Sequence, residues 1–179
     1  MSLESVATRL QDTAFSELLQ SVPWVVPTLQ TFHILMIGVV FVSILMIALR
    51  VLGWVRAEEP LVQVWRRFAP FLWTGVVIMA ISGALLTVAE PVREVMTLSF
   101  RIKLLLLVAG IVCAALFGRR VRAAATSGVE QPITAALRLA SAATVLLWLA
   151  IIFLGRAIAY DDWVWGNWSP AVLQRGEAT

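Results

Sequence analysis

The sequence predicts an all-α polytopic membrane protein: a four-transmembrane-helix bundle with an amphipathic helix in the interface at its N-terminus. Three observations carry that expectation. The chain is 60% hydrophobic and 14% charged, with a mean hydropathy of +0.89, whereas soluble domains run near ~45–50% apolar and ~25% charged. It contains four apolar runs close to the roughly 20 residues that a spanning helix needs. Its arginines gather beside alternate ends of those runs. Four spans leave little of the 179 residues for an extramembrane domain. The net charge of +3 and pI near 10.0 are therefore read as topology, and no nucleic-acid partner is expected.

The elements follow in chain order. Residues 1–28 have no basic segment followed by a long apolar stretch, so a signal peptide is not expected. Leu3, Val6, Ala7, Leu10, Ala14, Leu18 and Leu19 instead recur at helical spacing between Glu4, Arg9, Asp12 and Glu17. This pattern is that of an amphipathic helix in the interface, the alternative being a frayed tail. Pro23 and Pro27 then turn the chain, with Trp24 as an aromatic anchor. Spans are expected over about residues 29–55, 68–89, 102–117 and 137–160, the third being the shortest. Gly75 and Gly83 in the second span sit where small residues let membrane helices approach, and they are candidates for self-association into a homo-oligomer. Residues 161–179 form a tail in which Trp163, Trp165 and Trp168 read as an interfacial belt or a docking surface.

Charge sorting gives the orientation. Arg50, Arg56, Arg66, Arg67, Arg119, Arg120, Arg122 and Arg138 flank the two connections on one side, against Glu58, Glu59 and Glu130, a net +5. The other side carries six basic and eight acidic residues, a net −2. The positive-inside rule places the arginine-rich side in the cytoplasm and both termini outside. Arg119-Arg120-Val121-Arg122 also meets anionic lipid head groups on this reading.

Residues able to carry chemistry collect in the opposite, outer layer. His33 is the single histidine, near the start of the first span. Ionisable residues within spans are costly and usually face a bundle interior or a site, and imidazole is a common ligand for haem and metals. The plainer reading is a histidine that hydrogen-bonds a neighbouring helix. Lys103, Arg156, Tyr160 and Glu90 fall at the same expected depth as His33, with Asp161 and Asp162 just outside. Together they suit haem propionates, a quinone head group or another anionic ligand. Separately, Lys103 and Arg156 snorkel to the interface and Glu90 pairs with one of them. One histidine excludes a bis-histidine haem within one chain, and the methionines form no copper array. Cys113 alone makes no internal disulfide. No nucleotide loop, zinc-protease motif, nucleophile elbow or paired intramembrane carboxylate points to an enzyme.

Several short motifs carry a resemblance. Trp24-Val25-Val26-Pro27, His33 with Gly38, Leu49-Arg50-Val51-Leu52-Gly53, Phe100-Arg101-Ile102-Lys103 and Gly155-Arg156-Ala157-Ile158-Ala159-Tyr160 resemble an uncharacterised family of small four-span bacterial membrane proteins. The spacing from His33 to Gly38 is longer than the family's pattern. More distantly, a histidine opening a span before "L-R-x-x-G" is similar to copper-resistance D-type proteins and b-type membrane cytochromes. The resemblance implies a bacterial inner membrane with both termini periplasmic. That family brings no assigned activity; the outer-layer residues themselves give the expected function, a redox- or metal-linked subunit with His33 as ligand, haem b as first cofactor and copper or quinone next, and a periplasmic redox partner. A non-catalytic anchor or docking subunit is the alternative, and an oligomeric small-solute or ion transporter the third.

Overall fold

The computed structural model describes residues 3–127 and 132–170. Their long elements are helices, and no strand occurs among them. Four are long and apolar enough to cross a membrane: α3 (Val25–Leu52), α4 (Leu61–Ala89), α6 (Leu98–Ser127) and α7 (Ala135–Ala157). Short helices α1 (Leu3–Gln11), α2 (Ala14–Ser21), α5 (Pro91–Val95) and α8 (Asp161–Trp165) lie outside those four.

The spanning helices begin earlier or end later than hydropathy alone indicates. α4 starts at Leu61 rather than Phe68, and α6 continues to Ser127 rather than stopping at Phe117. The third span, expected to be the shortest, is a 30-residue helix. Arginine is a good helix former, so Arg66, Arg67, Arg119, Arg120 and Arg122 extend their helices beyond the apolar stretch instead of ending them. What reads in sequence as two arginine loops is a set of helix ends, with Arg56 left in the α3–α4 connection. Pro70 lies inside α4, which neighbouring membrane helices accommodate.

α3 ends in a motif legible in the sequence. Gly53 adopts φ +83°, donating its N–H to the Arg50 carbonyl at 3.1 Å, while the Trp54 N–H reaches the Leu49 carbonyl at 3.0 Å. These are the two hydrogen bonds of a Schellman cap, and the left-handed position favours glycine. The "L-R-x-x-G" pattern is thus a helix stop. Arg50, expected as a topology residue, is buried, and its Nε donates to the Glu59 carbonyl at 2.6 Å, fastening the α3–α4 connection.

The four long helices close into a ring in which α3 packs on α4 and α7, and α6 on α7 and α4. The core runs through Val40, Ile44, Leu72, Met79, Trp148 and Ile151. Two close approaches use glycine. A Cβ on Gly75 would lie 2.6 Å from Val40 Cγ2, and one on Gly118 would fall within the Trp65 indole. Trp65 also meets Phe117 edge-on, with ring centroids 5.6 Å apart. Outside this core, large side chains such as Leu35, Phe71, Val108, Leu116, Leu146 and Phe153 are exposed. They account for the excess of apolar residues, because their solvent is lipid.

The N-terminal segment is two helices rather than one. Thr13 interrupts it, accepting the Ser16 N–H at 3.3 Å as an N-cap for α2. Part of its small-residue face is spent on protein: Ala7 and Ser16 are buried, α1 packs on α5, and Gln20 Nε2 donates to the Ala89 carbonyl at 2.7 Å. Phe15 and Leu18 stay exposed. α1 and α2 therefore lie at the same end of the bundle as α5 and α8, called here the terminal end.

Candidate functional site

His33 lies eight residues inside α3, about 12 Å along the helix axis, because α3 begins at Val25 instead of near Leu29. Its Nδ1 is 2.9 Å from Ser82 Oγ on α4. Ser82 is buried, and its own Oγ sits 2.8 Å from the Ile78 carbonyl one turn back. A hydroxyl has one proton, and that carbonyl is an acceptor only. Ser82 therefore accepts at Nδ1 and His33 donates there, which in the neutral ring leaves the lone pair on Nε2. Gly83 makes room for the ring: a Cβ there would come within 3.3 Å of His33 Cε1. Gly83 thus lies against His33 and Gly75 against Val40 within one chain.

Lys103 stands five residues inside α6. Its ammonium lies 5.7 Å from the Phe100 ring centroid, and a Cβ on Gly155 would be 4.0 Å from its Nζ. Its charge acts on both His33 and Glu94. Of the residues expected together, His33 and Lys103 are thus brought into one electrostatic neighbourhood. The acid in that neighbourhood is Glu94 of α5, which sequence reasoning passed over. Glu94 is partly buried, and burial pushes its carboxyl above the usual carboxylate range against the opposing pull of Lys103 and Arg93. Its signal in the sequence was its position four residues after Glu90, on the short link between two spans.

The other expected members are engaged elsewhere. Glu90 pairs with Arg93 on its own turn, not with Lys103 or Arg156. Arg156 and Tyr160 bind each other, with the guanidinium 5.3 Å from the ring centroid and Nη2 3.4 Å from the hydroxyl, and both are exposed. Arg156 is one residue from the end of α7, and the chain continues from there as the short helical turns of residues 158–168. Asp161, expected as an outer-layer acid, caps α6: its Oδ1 accepts from the Ser99 N–H at 2.9 Å and its Oδ2 from the Leu98 N–H at 3.2 Å. Ser169 Oγ donates to the same carboxylate at 2.5 Å, and Trp165 Nε1 donates to Ser99 Oγ at 2.8 Å. This buried knot ties the tail back onto α6. Trp165 is fastened within it, while Trp163 and Trp168 are 89% and 81% exposed. Residues 171–179 of the tail lie outside the described residues.

Among the described residues no group of three or more His, Cys, Asp or Glu comes together that could hold a metal ion. His33 offers one nitrogen, which does not amount to a metal centre within one chain. What the arrangement can do is accept a hydrogen bond at Nε2 of a neutral His33 within electrostatic reach of the Lys103 cation. No family model, curated protein or solved structure matches the chain. The class it defines is an all-α membrane bundle of four helices with a polar site at its terminal end, and function has to be argued from that site.

Proposed function

We propose that the chain is a redox-linked subunit of a bacterial inner membrane that holds the head group of a lipid-soluble quinone beside His33. In this reading the arginine end is cytoplasmic and both ends of the chain are periplasmic, which the charge asymmetry supports. The observation that carries it is the His33–Ser82 hydrogen bond, with the Ser82 proton committed to Ile78. A quinol hydroxyl would donate to Nε2, and a quinone or semiquinone oxygen would be drawn to Lys103. Haem b or copper, with His33 as the metal ligand, ranks lower, since among the described residues no group of three or more His, Cys, Asp or Glu comes together.

The test is a titration of the purified full chain with a short-chain ubiquinone analogue, followed by tryptophan quenching, alongside an absorption spectrum and metal analysis. His33→Ala and Ser82→Ala are each expected to weaken binding about tenfold, the worth of one buried hydrogen bond. Wild-type protein that neither binds the analogue nor responds to His33→Ala sinks the reading. A Soret band lost in His33→Ala would replace quinone by haem. The exposure of Trp163 and Trp168 favours a second reading, a non-catalytic docking subunit for a periplasmic redox partner. It requires that Trp163→Ala with Trp168→Ala abolish co-purification of that partner.

A further inference from the structure

We infer that the arginine end of α6 is a binding site for an anionic phospholipid, with the head-group phosphate on Arg119 and Arg120 and an acyl chain along the exposed lane below them. Leu104, Val108, Val112 and Leu116 follow one another at intervals of four residues, and all are exposed. Residues four apart are neighbours on a helix surface, so these side chains form a continuous apolar lane. Arg119 and Arg120 stand three and four residues beyond Leu116, directly above the lane, and both are exposed. From Leu104 to Arg120 the helix rises about 24 Å, ample for the length of one leaflet's acyl chain. Phosphate above hydrocarbon is the sequence of groups in a phospholipid, and a free phosphate would have no use for the lane.

A second helix adds charge at the same end. Trp65 packs on Gly118 and Phe117, so Arg66 and Arg67 on α4 lie at the same end of the bundle as Arg119 and Arg120 on α6. Arg67 repeats the pattern, with exposed Phe71 one turn below it. Arg67 and Arg56 share Glu59. Among the described residues Arg66, Arg119, Arg120 and Arg122 have no carboxylate within ion-pair distance. Unneutralised guanidiniums gathered at one edge favour an anionic head group over a zwitterionic one, at about fivefold in affinity per engaged arginine.

The experiment uses delipidated full-length chain, titrated with phosphatidylglycerol or phosphatidylcholine of the same acyl composition and read by native mass spectrometry. Phosphatidylglycerol is expected to bind at least fivefold more tightly, and Arg119→Gln with Arg120→Gln to bring the two lipids within about twofold. Inorganic phosphate at equal concentration is expected to displace neither. Equal binding of both lipids to the wild type, an undiminished preference in the double variant, or displacement by inorganic phosphate overturns the proposal.

Discussion

Replacing Asp161 by alanine tests whether the outer knot holds the bundle together. The carboxylate is 3% exposed and accepts three hydrogen bonds, from the Leu98 and Ser99 N–H groups and the Ser169 hydroxyl. Leu98 is half-buried, so water replaces the lost acceptor there at small cost. The Ser99 N–H and the Ser169 hydroxyl belong to fully buried residues, and each left unpaired costs about 1–2 kcal/mol. Loss of an anion at the α6 N-terminus adds roughly 0.5–1 kcal/mol. Relief from burying the carboxylate offsets part of this sum. The net is about 3 kcal/mol, or about a hundredfold in the unfolding equilibrium. Asp161→Asn keeps one acceptor oxygen but turns an amide towards donors, and about half the loss is expected. Reversible unfolding in mixed micelles measures the total, and amide hydrogen exchange at Leu98 and Ser99 localises it. An alanine variant within about 0.5 kcal/mol of wild type, with unchanged exchange at both amides, would refute the reasoning.

Two further predictions concern packing and pH. Gly118→Ala drives a Cβ into the Trp65 ring, a rigid neighbour that cannot swing aside, and is expected to cost about 2–3 kcal/mol in the same unfolding assay. Gly118→Ala together with Trp65→Phe should lose less than the sum of the two single changes, and strict additivity would count against the contact. Glu94 has a folded-state pKa raised above its unfolded value. Its penalty is therefore full above the raised pKa and absent below the unfolded one, so stability falls as pH rises through that window. Glu94→Gln should flatten this part of the thermal-melt profile. A profile identical to the wild type at every pH contradicts the assignment.

The legible and illegible parts of the chain divide by the range of the interactions involved. Hydropathy located four spans because desolvating a run of apolar side chains is a local property of that run. It misplaced the boundaries at Leu61 and Ser127 because helix propensity, not hydropathy, decides where arginine-rich helices end. Gly53 was visible as part of a motif, and its meaning is local too: a left-handed turn closing α3. Gly83 and Ser82 were readable as small and polar, but that they receive His33 depends on the registry of α4 against α3. That the Lys103 charge acts on Glu94 was hidden for the same reason.

The sequence by itself determined that this is a four-span helical membrane protein whose arginines gather at one end, since composition and charge act through the bilayer and need no partner within the chain. Only the tertiary structure decided which polar side chains meet. Glu90 and Arg156 were drawn to near neighbours, Asp161 was consumed in capping α6, and His33 was oriented by Ser82, because a polar group away from water goes to whichever partner the helix packing sets within hydrogen-bonding reach.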